Sequence, residues 1–410
     1  MRFLAFSLFA LLLPSTLLAG PLKITTGTLS DDYAATLLEF QIRGVPEPDD
    51  VRLQLFPSGK AVPCQIKERT ESGVRIVLLA SELKKGTEAV WEVNLVPKES
   101  QSLKAQVEVT KQGDTAVQVL ADGKELTRLI CDPGAYKPYF FPMIGPNEKM
   151  ITRQFPMNPN AEGEDKDHPH QRSLWFTHGS VGGVDFWSEG AEKGKIRQTA
   201  LESLESGPVF GKIATKNEWI APTGKKLLDD HRVFTFFPLP HGERLIDVSI
   251  TLTAGNEPVV FGDTKEGTFG IRLAESMKEA RGGHIVNSSG QHGEKEAWGN
   301  PADWVDYFGP VGGDTVGVAI LDHPQSFRHP THWHVRDYGL FAANPFGYHD
   351  FYEKKKEKKD GTYTLEKGQS MEFRYRVYLH RGTTEAAKVS QVYRGFAAPP
   401  DLHPRVVKKA

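Results

Sequence analysis

The chain has 410 residues, with 50 Lys and Arg against 52 Asp and Glu, a formal net charge of −2, and two cysteines. So even a balance provides no global field for nucleic acid or an anionic membrane surface, and neither partner is implied. Cys64 and Cys131 stand too far apart to form the closely spaced thiolate sets of a structural zinc site.

Met1 and Arg2 are followed by an apolar run from Phe3 to Leu13, then Pro14, Ser15, Thr16 and Ala19. Residues 1–20 have the layout of a secretory signal with cleavage expected near Ala19 or Gly20, and the run is too short to span a bilayer. No later segment reads as a membrane span, so the expected location is periplasmic or extracellular. In an exported protein, a disulfide between Cys64 and Cys131 and two buried free thiols both stand open.

Thirty-nine glycines and 27 prolines with few long helical patterns predict short strands joined by turns. Residues 21–100 lack histidine and read as a small immunoglobulin-like β domain with no chemistry. There Trp91, Val93 and Leu95 alternate with Glu92 and Asn94. Residues 101–396, rich in His, Trp, Arg and Gly, read as one large antiparallel β-sandwich, and 397–410 as a carboxy-terminal tail. In the large domain Leu103, Ala105, Val107 and Val109 alternate with polar residues, as do Ile246, Val248, Ile250 and Leu252, and Met371, Phe373, Tyr375, Val377 and Leu379. The run from Glu353 to Lys359 leads into Asp360-Gly361, a hairpin-tip signal. A helix is expected from Thr384, its cap, through Arg394. The predicted class is therefore all-β.

Residues 167–179, Asp-His-Pro-His-Gln-Arg-Ser-Leu-Trp-Phe-Thr-His-Gly, concentrate His168, His170, His178 and Arg172 beside two aromatics. Imidazole titrates near neutral pH and is the commonest metal ligand. If the segment is a strand, His168 and His170 share a face; otherwise it is a polar loop whose histidines bond backbone. A second cluster holds His323, then His332, His334 and Arg336, which in a strand would face away from Trp333, Val335 and Asp337. Lys265 and Glu266 read either as an acid/base pair or as a surface ion pair. Trp298 and Trp304, near Asp303 and Asp306, suit the C–H face of a sugar, or else a core. P-loop, dinucleotide, G-x-S-x-G and H-E-x-x-H signatures are absent, so no cofactor is assigned.

Asp167-His168-Pro169-His170 with Arg172-Ser173-Leu174-Trp175, Asp185-Phe186-Trp187, Asp263-Thr264-Lys265-Glu266-Gly267, residues 302–307, Asp322-His323-Pro324, and residues 333–339 with Asn344-Pro345-Phe346-Gly347 carry a family resemblance. Over Leu126 to Arg394 the chain resembles the exported bacterial PmoA-like, or "methane oxygenase PmoA", proteins. That resemblance implies no established reaction, and the name implies membrane helices that this sequence lacks. Gln171 stands where the family pattern has a further histidine, which weakens a metal site built on three imidazoles. The chain also resembles, more faintly, the galactose mutarotase-like sandwiches, because Arg153 precedes His168 and His170 in order. This second resemblance implies a supersandwich with a sugar in a concave sheet, a histidine acid and a carboxylate base, Glu266 being the first choice and Asp337 the second.

Together these readings favour a protein that acts on or binds carbohydrate, with a small-molecule or glycan partner. His168, His170, His178, Glu266, His323 and His334 are the catalytic candidates; Arg153, Arg172, Lys265, Arg272, Trp304 and Arg336 are the substrate-binding ones. A noncatalytic glycan- or protein-binding module and a metal-dependent oxygenase or hydrolase are the alternatives.

Overall fold

Alternation in the sequence becomes alternation in burial. Along Arg244–Ala254, Ile246, Val248, Ile250 and Leu252 are at most 2% exposed, while Asp247, Ser249 and Thr251 are half-buried. The computed structural model describes residues 10–12, 22–43, 50–71, 73–96, 104–353 and 356–405. Most of the expected export signal falls outside them; Ala10–Leu12 pairs in parallel with Tyr33–Arg43. The protein is an all-β structure built from antiparallel sandwiches.

The chain divides into two compact units, residues 1–106 with 207–210 and 390–410, and residues 107–206 with 211–389. In the smaller unit a four-stranded and a five-stranded sheet enclose a core that includes Ile24, Leu38, Ile76, Trp91 and Leu402. Residues near the carboxy terminus complete it rather than trailing as a tail, because His403–Arg405 pairs with Leu22–Thr28. Gln65 Oε1 also accepts the backbone N–H groups of Val209 and Phe210 there, at 3.1 and 3.0 Å.

The larger unit contains two eight-stranded sheets. The first runs Trp333–Val335, Leu340–Ala343, Gly267–Arg272, Leu174–His178, Tyr139–Met143, Lys124–Ile130, Ala116–Ala121, Val107–Gln112. The second runs Lys195–Glu205, Gly211–Ile220, Lys226–Pro238, Arg244–Ala254, Ser370–Arg381, Asp314–Asp322, Trp304–Val311, His284–Asn287. Leu174, Phe176, Phe269, Ile271, Trp333 and Val335 of the first sheet share one core with Val248, Val305, Ile320 and Phe373 of the second. Period two then leaves Trp175, Gly270, Arg272 and His334 on the opposite face of the first sheet.

Local features depart from the sequence reading for identifiable reasons. The last helix is Val389–Ala397, because Thr384 does not cap it: the Thr384 hydroxyl donates to Asp306 Oδ2 at 2.7 Å. Asp360-Gly361 forms no hairpin tip; Gly361 N–H donates to Asp263 Oδ2 at 2.6 Å, and Tyr363–Leu365 pairs with Val259–Phe261. A Cβ on Gly361 would lie 1.8 Å from the Phe346 carbonyl oxygen, so this close approach requires glycine. Cys64, which is buried and donates its thiol to the Val51 carbonyl at 3.0 Å, and Cys131, which is half-buried, are not joined in a disulfide. No helix among the described residues is long and apolar enough to cross a membrane.

Candidate functional site

The outer face of the first sheet carries a second apolar cluster of Tyr139, Trp175, Trp187, Leu340 and Ala342. Strand register places Trp175 opposite Gly270, Gly270 opposite Ala342, and Ala342 opposite His334. A Cβ on Gly270 would sit 2.9 Å from Trp175 Cζ2, so the missing side chain makes the space that the indole occupies. Trp187 packs on Trp175 with ring centroids 5.3 Å apart. Both indole Nε1 donors are buried, and neither has a hydrogen-bond partner among the described residues.

The loop before Leu174–His178 folds over this floor. His168 and His170 are therefore not on a strand: His168 has φ of 44°, and its carbonyl accepts Gln171 N–H at 3.0 Å and Arg153 Nη2 at 3.0 Å. Asp167 organises the loop. Arg272 Nη2 donates to Asp167 Oδ1 at 2.9 Å, Arg153 Nη1 bonds the same oxygen, and Arg272 Nη1 donates to Gln171 Oε1 at 2.5 Å. Burial alone would raise the Asp167 pKa, but Arg272, the His168 hydrogen bond and Arg153 overcome it and hold the carboxyl at about 2. His168 Nδ1 lies 2.7 Å from Asp167 Oδ2, and its ring stacks on Tyr338 at 5.3 Å with planes 5° apart.

A parallel group supports His170. Glu189 accepts Arg172 Nε at 2.8 Å and Nη2 at 2.7 Å, and also Lys137 Nζ at 3.1 Å. Complete burial lowers the Lys137 pKa to about 8 despite the Glu189 carboxylate. His170, edge-on to His168 at 5.8 Å and tilted on Trp187 at 6.2 Å, is pushed down to about 4 by burial and then by Lys137 and His168. It is a neutral imidazole at physiological pH.

Glu266 ends the loop that enters Gly267–Arg272. Burial raises its pKa, against the fields of Lys265 and His168, and its half-buried carboxylate has no hydrogen-bond partner among the described residues. Lys265 Nζ lies 3.8 Å from Asp350, so Lys265 and Glu266 are not each other's ion pair. His334 is 2% exposed and receives the Trp298 indole N–H on Nδ1 at 2.9 Å. Burial, then Arg336, Lys265 and His168, lower its pKa to about 3. Arg336 pairs with Glu294 at 2.9 Å and lies over the Tyr338 ring.

Thus His168, His170, Glu266, His334, Arg153, Arg172, Lys265, Arg272 and Arg336 converge on one face. His178, His323 and Trp304 do not. His178 shares the inward parity of Leu174 and Phe176; its Nε2 donates to the Gly262 carbonyl at 2.8 Å and its ring packs on Phe346. Its pKa, near 4 through burial, reflects a core position. His323 follows a strand of the second sheet, where its Nδ1 accepts Gln325 N–H at 3.1 Å. Trp304 belongs to that sheet too, on the face opposite the core residues Val305 and Tyr307. Asp337, the second choice for a base, is exposed, and its carbonyl rather than its carboxylate receives Tyr307 Oη. Among the described residues no three His, Cys, Asp or Glu side chains are placed to hold a metal ion.

Asp167, Lys137, Trp187, Glu189 and Tyr338 complete the site without having been assigned roles from the sequence, and Trp298, read there as a sugar-stacking ring or a core residue, donates to His334. Asp167, Trp187, Trp298 and Tyr338 stood inside the stretches singled out. For Lys137 and Glu189 there was no local signal, since their partners are distant in the chain.

A family described as "Family of unknown function (DUF6807)" matches residues 116–394. No curated protein matches the chain. A solved structure, a protein in the glycosyl hydrolase family 38 from Enterococcus faecalis, aligns at 10% identity with a TM-score of 0.38, covering 95% of this chain and 47% of that one. The chain therefore spans about half the length of that protein.

Proposed function

We propose that this chain, which belongs to the DUF6807 family of unknown function, binds and transforms a carbohydrate on the outer face of its first large sheet. The observation that carries the reading is the Asp167–His168 pair beside the unpaired Glu266, above a floor of Trp175, Trp187 and Tyr338. Aromatic faces accept the C–H face of a sugar ring, while imidazole and carboxylate groups bond its hydroxyls and move its protons. Asp167 orients His168 as a third group orients a catalytic base, and the raised Glu266 supplies a carboxyl poised to exchange a proton. The reaction class is acid/base chemistry of the isomerase, lyase or hydrolase type. Arg153, Arg172 and Arg272 are already bound to carboxylates, so their role is to fix Asp167 and Glu189 rather than to seize a charged ligand.

The PmoA-like resemblance over Leu126 to Arg394 lies within the stretch matched by the family and supports one domain-wide site without naming a reaction. On this reading the protein acts in the periplasm or outside the cell, and the amino terminus of secreted material should begin near Pro21. The direct test is a panel of mono- and oligosaccharides scored by thermal shift and by mass spectrometry for products. At least one sugar should raise the melting temperature and be converted, and His168→Ala should abolish conversion. A shift without product, in wild type, would make the domain a glycan-binding module; no shift with any sugar would overturn the proposal.

A further inference from the structure

His168 and His334 reach the site with opposite protonation patterns. At His168, the neighbour of Nδ1 is the Asp167 carboxylate, 2.7 Å away and ionised, which can only accept; the ring proton therefore sits on Nδ1 and the lone pair on Nε2. At His334, the neighbour of Nδ1 is the Trp298 indole, 2.9 Å away, which can only donate. The lone pair is consumed there, so the proton sits on Nε2. Both rings border one floor: His168 stacks on Tyr338, Tyr338 packs against the outer cluster that contains Ala342, and Ala342 is the register partner of His334.

We propose that His168 is the proton acceptor of the site and His334 a fixed hydrogen-bond donor whose tautomer is set by Trp298. This assignment rests on the carbohydrate reading above. A substrate proton moves to His168 Nε2, the electron pair it leaves is carried to the substrate oxygen facing His334, and His334 Nε2–H stabilises that oxygen without losing its own proton. His168 then returns the proton. Arg336 and Lys265, the cations facing His334, oppose its protonation along with burial, so it stays a neutral donor across the working range. Trp298 acts through His334 and is a positioning residue. It is held in place by Gly299 N–H, which donates to the Trp333 carbonyl at 2.8 Å, and by edge contact with Phe351 at 5.3 Å.

The test is nitrogen NMR of the full chain labelled at histidine, between about pH 5 and pH 9. His334 should remain the Nε2–H tautomer with no titration, and the neutral form of His168 should be the Nδ1–H tautomer. Trp298→Phe should give His334 mixed tautomers while leaving His168 unchanged. With the sugar found in the panel, His334→Gln, which keeps an N–H donor, should retain most of the thermal shift that His334→Ala loses. An Nδ1–H tautomer or a titrating His334 in the wild-type protein overturns the assignment, and this spectrum alone suffices if the variants do not fold. Failure of every sugar with the wild-type spectrum intact overturns the carbohydrate reading and leaves the two nitrogens assigned.

Discussion

Arg272 Nη2 and His168 Nδ1 meet on the same carboxylate, Asp167, at 2.9 and 2.7 Å. The side chains of Arg272 and Arg153 are almost completely buried, at 0% and 1% exposure, whereas that of Asp167 is 36% exposed. Asp167→Asn leaves both guanidinium groups without their anion. The expected loss is about 2 kcal/mol, less than for a fully buried pair because solvent reaches the carboxylate. Urea unfolding at neutral pH measures it; a stability equal to wild type would refute the role given to Asp167.

Glu189 is an anion shared by Lys137 and Arg172. Glu189→Gln strands two cations and should cost about 3 kcal/mol, whereas Lys137→Met keeps the Arg172 pair and should cost about 1 kcal/mol. Comparing the two denaturation midpoints tests the order. Equal losses would mean that Glu189 does not hold both cations.

Burial keeps His170 and His178 near a pKa of 4 and His334 near 3, while the unfolded chain returns them to about 6.5. Because the folded pKa values are depressed, the unfolded state takes up protons first as pH falls. Stability present above about pH 6.5 is therefore lost as pH falls through about 4. Urea midpoints at about pH 7 and pH 5 should differ, and His170→Gln should reduce the difference. A flat profile for the wild type over that interval would contradict the burial of these rings as neutral groups.

Gly270→Ala places a methyl group 2.9 Å from Trp175 Cζ2, in backbone that imposes no positive φ. Overpacking of this kind costs about 1–3 kcal/mol. The same variant should change tryptophan fluorescence and weaken the sugar-dependent thermal shift, because the indole that floors the site must move. Unchanged fluorescence and binding would place the floor elsewhere.

His323→Ala is the contrasting case. His323 Nδ1 accepts a backbone N–H on the second sheet, away from the outer face of the first. The variant should lower the melting temperature slightly and leave the sugar-dependent shift at its wild-type size. Loss of the shift would return His323 to the site.

Several features were legible in the amino-acid sequence alone. The all-β class followed from period two, since a strand with one wet face must alternate, and Ile246 through Leu252 do. The same rule correctly separated His334 from Trp333 and Val335, and applied to Leu174–His178 it would have turned His178 inward with Leu174 and Phe176. Clustering of histidine and arginine around residue 170 also drew attention to the loop that Asp167 organises. The exclusion of His323 and Trp304, the pairing of Lys137 with Glu189, and the Trp298 bond that wires His334 were decided by tertiary structure. Those relationships depend on which strands lie side by side: register joins Trp175, Gly270, Ala342 and His334 across the sheet, although they are scattered along the chain. A side chain's neighbours along the chain fix its face; the His334 partner, Trp298, is brought near only when the sheet closes on its core, whereas the His168 partner, Asp167, is its chain neighbour and is held in place by the distant Arg272.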